Sequence, residues 1–190
     1  MVKVVGVTGR AGSGKSFAVA LLSKRFDVEV IDLDKVGHQA LLDPTCLKRI
    51  LGVFGKDILS DGRTIDRLKL GHIVFSDDKK RAELNVIVHP WMKAYVEKKL
   101  QDVKSSCIIV GALITEIGLR PLCDSLLFID ATDSDIKTYV GENKYRIAAL
   151  QRSRDDYRSD CTISIENRYD DTFSDELESV FDTILKGEPF

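Results

Sequence analysis

A glycine-rich segment at residues 9–16 constrains the fold of this 190-residue chain more than any other feature. Its sequence, GRAGSGKS, fits the pattern G-x-x-x-x-G-K-S/T, and it stands between a strand-like run and a helix-like run that begins at Phe17. In that context glycines let backbone N–H groups surround phosphate oxygens, Lys15 reaches the β- and γ-phosphates, and the Ser16 hydroxyl can ligate Mg²⁺. The segment therefore predicts a phosphate-binding loop for a nucleoside triphosphate.

Four further runs of β-branched apolar residues alternate with helical patterns and predict a parallel sheet. Together with the run before the loop, they lie at residues 2–7, 28–31, 107–113, 126–129 and 161–165. Right-handed crossovers bring the carboxyl ends of such strands, and the ligands that bind there, to one edge of the sheet. We therefore expect an α/β, three-layer P-loop NTPase or kinase fold with a five-stranded parallel sheet and an amphipathic last helix.

The connection between the second and third predicted strands is much longer than one crossover helix requires. Its helical patterns lie at residues 36–42, 45–54, 67–75 and 78–103. We expect a turn at Asp61-Gly62 and an interruption of the last helix at Pro90, because proline lacks the N–H that a helix needs. We interpret residues 35–106 as a helical insertion that binds the second substrate, and residues 1–34 and 107–190 as the nucleotide-binding core.

Charge and cysteine content argue against several other classes of protein. The formal net charge is −2, so a general nucleic-acid-binding surface is not indicated. The four cysteines lie far apart, without a C-x-x-C pair, which favours a reducing compartment over a disulfide framework. The longest apolar run is too short to span a bilayer, and the first strand follows the N-terminus directly. We expect a cytoplasmic monomer or weak homo-oligomer that binds neither nucleic acid nor membrane.

Two carboxylates, Asp32 and Asp34, end the second predicted strand at the edge where the phosphate loop opens. Asp34 could deprotonate an attacking hydroxyl, and Asp32 could hold the waters of Mg²⁺. The alternative is that either residue only caps the following helix. Glu116, shortly after the third strand, is a weaker candidate of the same kind, with an exposed glutamate at a helix start as its alternative.

Several of these segments resemble dephospho-CoA kinases, whose chains open with T-G-x-x-x-S-G-K-S followed by V-I-D-A-D. The matching residues here are TG at residues 8–9, SGKS at 13–16 and VIDLD at 30–34. The resemblance continues in order through Phe54-Gly55, Asp61-Gly62, Asp66-Arg67, Val74-Phe75 and Val88-His89-Pro90. In the second half it thins to Leu113, Ile114, Glu116, Arg146-Ile147, Gln151 and residues 163–167. The ordered series through the insertion is more specific than the loop, which many kinases share.

The resemblance implies transfer of the γ-phosphate of ATP to the ribose 3′-hydroxyl of dephospho-CoA, with Mg²⁺ as cofactor. Asp34 would activate the hydroxyl, and Arg67 and His89 would border the acceptor together with Asp32 and Glu116. Arg67 could also be an ordinary surface residue, and His89 a structural hydrogen-bonding residue. The expected metal ligands are Ser16 and Asp32. The residues expected to contact ATP are Gly9, Ala11, Gly12, Ser13, Gly14, Lys15, Ser16, Phe17 and Asn167.

The sequence departs from the family most clearly in its lid, expected at about residues 133–158. The family has two arginines there, spaced as L-x-R-x-x-x-R, whereas residues 136–144 are short and contain none. An arginine that stabilises the transferring phosphoryl group accelerates transfer about 10³–10⁵-fold. Lys137, Lys144 and Arg146 are the nearest possible substitutes, and Arg152, Arg154 and Arg158 follow on the next stretch. We favour Arg146, because its neighbour Ile147 matches a family position. Phe17 also replaces the usual threonine.

Two other functions remain open. One is a P-loop nucleoside monophosphate kinase, although an acceptor phosphate usually needs several arginines and the insertion offers only Arg49, Arg63, Arg67 and Arg81. The other is a catalytically weak ATP-binding relative. Loss of the lid arginine without a replacement would produce such a protein.

Overall fold

The structure, a computed structural model, describes residues 2–188. The chain divides into two compact units. One is Leu33–Lys99, and the other is formed by the described residues before and after it.

Five strands and nine α-helices are present in the described residues. The strands are β1 (Val4–Thr8), β2 (Val28–Asp32), β3 (Ser106–Val110), β4 (Ser125–Asp130) and β5 (Ile163–Glu166). The helices of the first half are α1 (Lys15–Arg25), α2 (Leu33–Ala40), α3 (Pro44–Phe54), α4 (Arg67–Ser76) and α5 (Asp78–Asp102). Those of the second half are α6 (Asp133–Asp135), α7 (Glu142–Ala149), α8 (Arg154–Asp160) and α9 (Thr172–Lys186). A π-helical turn, Ile136–Val140, joins α6 to α7.

The five strands form one parallel sheet in the order β2-β3-β1-β4-β5, with β1 at its centre. Val5 of β1 pairs with Ile108 of β3 on one side and with Ser125 of β4 on the other. Because the strands are parallel, their carboxyl ends share one edge, and the loop after β1 opens there. The predicted P-loop fold with a five-stranded parallel sheet is confirmed.

Helices cover both faces of the sheet, which explains why its central strands contain almost no polar residues. On one face, α1 and α9 bury Leu22, Leu177 and Phe181 against β1, β3 and β4. On the other face, Tyr157 of α8 stacks on Phe128 of β4, with ring centroids 5.4 Å apart. The expected amphipathic last helix is α9, and its buried side chains form part of this core.

The Leu33–Lys99 unit is helical, as its sequence pattern predicts. Asp43 caps α3 by accepting hydrogen bonds from the N–H groups of Thr45 and Cys46, and Asp66 caps α4 in the same way. Between these helices, the Asp61 carboxylate accepts hydrogen bonds from two backbone N–H groups, and Gly62 has a φ of +77°. The turn expected at Asp61-Gly62 is therefore present.

The expected interruption at Pro90 is wrong, because α5 continues through it from Asp78 to Asp102. Proline removes one hydrogen bond to the carbonyl of Val86, whose side chain is exposed, so water can reach this part of the helix. Residues on both sides of the proline, including Val88 and Met92, are buried, and their packing keeps the helix continuous. Tertiary packing thus overrides the local preference.

Three other predicted boundaries are also wrong. Strand β3 ends at Val110 rather than residue 113, because a turn begins after Gly111. Strand β5 begins at Ile163 rather than residue 161. Helix α2 begins at Leu33, directly after β2, so Asp34 lies in its first turn. Among residues 2–188, no helix combines the length and apolar character needed to cross a membrane.

We predict that the protein loses stability in alkali, because burial raises the pKa of the Cys107 thiol to about 12 and that of Cys123 to about 11. In the unfolded chain these thiols ionise near pH 9.0. Above that pH the unfolded state binds fewer protons than the folded state, so the free energy of unfolding falls as pH rises towards 11–12. The expected loss is about 1 kcal/mol per thiol for each pH unit.

Urea unfolding at pH 8 and pH 10.5 measures this loss. The variant C107A/C123A is the control, since it lowers stability at every pH but should make the loss between the two pH values smaller. Parallel pH profiles for the variant and the wild type would contradict the prediction.

Candidate nucleotide-binding site

The glycine-rich loop connects the end of β1 at Thr8 to the start of α1 at Lys15. Gly9 and Gly14 both have positive φ angles, and a Cβ atom at Gly9 would overlap the carbonyl oxygen of Ile129. A Cβ atom at Gly14 would overlap the side-chain amide of Asn167. Only glycine fits these two positions, because the backbone passes too close to its neighbours and turns through the left-handed region. The loop can therefore present its N–H groups to an anion.

Two residues that follow β5 hold this loop in place. Asn167 is 4% exposed, donates a hydrogen bond of 3.0 Å from its side-chain amide to the carbonyl of Ser13, and accepts one of 2.9 Å from the N–H of Tyr169. The Tyr169 hydroxyl donates to the carbonyl of Gly12. Burial raises the pKa of Tyr169 to about 12, so the hydroxyl stays protonated and able to donate at neutral pH. Asn167 and Tyr169 thus hold the loop through its carbonyls.

The polar groups of the loop fit a bound phosphate. The Lys15 ammonium donates hydrogen bonds of 2.8 Å to the carbonyls of Gly9 and Arg10. The first-turn N–H groups of α1 have no acceptor within the helix. The Ser13 hydroxyl is buried and lacks a hydrogen-bond partner among the described residues. Such groups favour an anionic ligand at this helix start.

Two neighbouring cavities lie beside the loop. The larger has a volume of about 550 Å³ and the smaller about 270 Å³. The larger is lined by Gly14, Phe17, Asn167, Tyr169, Asp170, Asp171, Phe173 and Ser174. The smaller is lined by Gly12, Gly14, Lys15, Ser16, Phe17, Val140, Lys144 and Tyr169. The first has aromatic walls suited to a base, and the second contains Lys15 and Ser16, which suit phosphates, so the pair could accommodate a nucleotide.

Sequence reasoning placed Phe17 and Asn167 at this site but missed Tyr169, Asp170, Asp171 and Phe173. Phe173 was interpreted only as part of the apolar face of the last helix, and it does pack in the core, with its ring centroid 6.1 Å from that of Phe17. The order of the strands in the predicted sheet could have placed these residues. Strand β5 ends at the same sheet edge as the loop, so the residues after it are expected to lie near the loop.

The residues of the lid contact the loop directly. Arg10 is 6% exposed and donates to the carbonyl of Ala131 at 3.0 Å and to the Asp133 carboxylate at 2.6 Å. Tyr139 stacks on Tyr169 with ring centroids 4.9 Å apart. Gln151 accepts a hydrogen bond of 2.6 Å from the N–H of Ala11. These contacts join both ends of the lid to the phosphate loop, and its middle to Tyr169, which itself binds the loop.

The arginines near the lid are bound to carboxylates. Arg146, the expected substitute for the missing lid arginine, lies on α7 with a side chain 73% exposed, and its nearest carboxylate is that of Glu142 at 3.7 Å. Arg154 and Arg158 both donate to the buried carboxylate of Asp130. Arg152 lies 3.5 Å from Glu116 and forms a 2.6 Å ion pair with Asp160.

The other expected site residues occupy different elements. Asp32 ends β2, and Asp34 follows it in the first turn of α2, where the helix dipole stabilises a carboxylate. Arg67 is the first residue of α4, and His89 lies half-buried in the middle of α5.

The residues of the loop suit Mg²⁺ bound together with a triphosphate. No group of three or more His, Cys, Asp or Glu side chains in residues 2–188 is placed to hold a metal by itself. Mg²⁺ does not need one, because it usually takes one or two protein oxygens, several waters and phosphate oxygens. The Ser16 hydroxyl, exposed in the first turn of α1, is a suitable oxygen.

Known proteins resemble this chain in both sequence and structure. A model of the dephospho-CoA kinase family matches residues 3–167. The dephospho-CoA kinase of Vibrio parahaemolyticus is 35% identical over 163 residues, covering 81% of this chain and 80% of that protein. The dephospho-CoA kinase of Borreliella burgdorferi is 34% identical over 135 residues, covering 70% of this chain but only 65% of that protein. The structure of dephospho-CoA kinase from Campylobacter jejuni shares the fold, with a TM-score of 0.72, 23% identity and coverage of 98% and 99%.

We predict that Tyr169→Phe weakens Mg-ATP binding about fivefold, because one hydrogen bond to the loop, worth about 1 kcal/mol, is lost. Tyr157→Phe is a matched control, since its hydroxyl also donates to a backbone carbonyl, that of Ala112 at 3.0 Å, away from the loop. Both variants should lose similar stability, but only Tyr169→Phe should lose nucleotide affinity. Calorimetric titration measures this, and equal affinities in the two variants would refute it.

Proposed function

The chain belongs to the dephospho-CoA kinase family, and we propose that it transfers the γ-phosphate of ATP to the ribose 3′-hydroxyl of dephospho-CoA, giving CoA and ADP. The observation that carries this proposal is the pair of adjoining cavities along the glycine-rich loop, one aromatic and one lined by Lys15 and Ser16. They suit the base and phosphates of ATP. The acceptor is proposed from the family alone.

In the proposed reaction the phosphate loop holds the donor. Loop N–H groups and the Lys15 ammonium bind the β- and γ-phosphates and neutralise their charge. Lys15 exchanges its hydrogen bonds with the loop carbonyls for bonds to phosphate oxygens. The Ser16 hydroxyl would be a ligand of Mg²⁺ bound with the triphosphate, and Asp32 would hold its waters; the ion would neutralise charge on the phosphates.

Asp34 is the proposed general base. Its carboxylate accepts the proton of the 3′-hydroxyl as the hydroxyl oxygen bonds to the γ-phosphorus. The bond from that phosphorus to the β–γ bridging oxygen breaks, and ADP leaves. Arg67, His89 and Glu116 are proposed to contact the acceptor, whose remote phosphates suit an arginine at the start of a helix.

The proposed setting of the reaction follows from the same family. We propose that the protein acts in the cytoplasm as a monomer or weak homo-oligomer. Its four cysteines are free thiols, which is typical of a reducing compartment.

We predict Mg-ATP-dependent ADP formation with dephospho-CoA as acceptor, and none with adenosine or nucleoside monophosphates. Asp34→Asn should lower kcat about 10²–10⁴-fold through loss of the base, with little change in ATP affinity. Lys15→Ala should abolish turnover because the charge on the γ-phosphate is no longer neutralised. A coupled assay for ADP, with each acceptor in turn, measures these effects.

The matched control is Asp27→Asn. Asp27 is exposed and precedes β2, at the strand end opposite to Asp32, so its kcat should equal that of the wild type. Turnover with a nucleoside monophosphate instead would replace the proposed acceptor. ATP binding without turnover on any acceptor would make the chain a catalytically weak ATP-binding protein and refute the proposal.

A further inference from the structure

The lid of this chain has two lysines and no arginine before Arg146. Residues 133–145 include Lys137 and Lys144. The transferring phosphoryl group carries negative charge that a P-loop kinase normally meets with a cation in addition to the loop lysine. The position of each lid cation relative to the phosphate loop therefore decides which one can act.

The short lid packs directly on the phosphate loop at Gly12. From the point that a Cβ atom of Gly12 would occupy, Ile136 Cγ2 is 3.0 Å away, Lys144 Cβ is 3.5 Å and Val140 Cγ1 is 3.7 Å. The Arg10–Asp133 ion pair and the Tyr139–Tyr169 stack hold the lid in this place. The base of the Lys144 side chain is thus fixed beside the loop without any further closure of the lid.

Lys144 also lines the smaller cavity, together with Gly14, Lys15 and Ser16. Its exposed side chain has a flexible four-carbon stem and three N–H donors, so its ammonium can reach an anion in that cavity. In the part of the chain that the structure describes, no carboxylate forms an ion pair with it.

Lys137 and Arg146, the two cations nearest to Lys144 in the lid sequence, are placed differently. The Lys137 ammonium lies 3.9 Å from the centre of the Tyr145 ring, so it is held in a cation–π contact. Arg146 is largely exposed, and Glu142 on the same helix is its ion-pair partner. Neither residue lines the cavity that contains Lys15 and Ser16.

We propose that Lys144 is a catalytic residue that binds the β- and γ-phosphates of ATP and takes the place of the missing lid arginine. This rests on the proposed kinase function. As the bond from the γ-phosphorus to the bridging oxygen breaks, negative charge moves onto the β-phosphate of ADP. The Lys144 ammonium donates hydrogen bonds to that charge and keeps its own protons, so the step needs no other reactant.

The variant that tests this is Lys144→Met, which keeps the length and packing of the stem and removes only the charge. We expect kcat with dephospho-CoA to fall about 10²–10³-fold, and Mg-ATP affinity to fall about 5–10-fold. Lys144→Arg restores the charge and should recover most of kcat. Lys137→Met, which removes an equivalent charge from the same lid, should stay within about threefold of the wild type.

Kinetic and binding results together decide the outcome. The proposal is overturned if Lys144→Met keeps wild-type kcat, if Lys137→Met loses as much, or if Arg146→Gln loses activity while Lys144→Met does not. Isothermal titration with Mg-ATP needs no acceptor. If the wild type turns over no acceptor, the kinase proposal fails by itself. In that case weaker ATP binding by Lys144→Met alone supports the phosphate contact, and equal affinities overturn it.

Discussion

The contact between the lid and the phosphate loop at Gly12 is the constraint on which the rest of the nucleotide site depends. Gly12 has a φ of +83°, and three lid side chains lie within 3.7 Å of the point that a Cβ atom would occupy. Any larger residue would have to push Ile136 away in a segment where packing is already close. The absence of a side chain at Gly12 lets the lid rest on the loop.

Asp130 supports this arrangement from the other side of the sheet edge. Its carboxylate is 2% exposed and binds both Arg154 and Arg158, while its carbonyl accepts a hydrogen bond of 2.7 Å from the N–H of Asn167. One residue at the end of β4 thus connects α8 to the segment that clamps the loop. A buried carboxylate left without these guanidinium partners would be strongly destabilising, which explains why two arginines are committed to it. These arginines are therefore committed to the scaffold, which in our proposal leaves Lys144 to bind the phosphates.

The loop motif and the strand patterns predicted the sheet because both depend on local sequence. Glycines at fixed spacing and β-branched runs need no knowledge of distant contacts. The contacts of Tyr169 could not be predicted in this way, because its partners Gly12 and Tyr139 lie far from it in sequence. The interruption predicted at Pro90 was wrong for the same reason, since packing on both sides of the proline outweighs its local effect. Lys144 was one of several lid cations in the sequence, and only the fold distinguishes it from Lys137 and Arg146.

A crystal structure with Mg²⁺ and a non-hydrolysable ATP analogue would test the central claim most directly, because it would show the lid and the phosphates together. The account predicts that the lid stays against Gly12 and that the Lys144 ammonium lies about 3 Å from a β- or γ-phosphate oxygen. A lid that has moved off the loop, or an arginine in contact with those oxygens while Lys144 points to solvent, would contradict it.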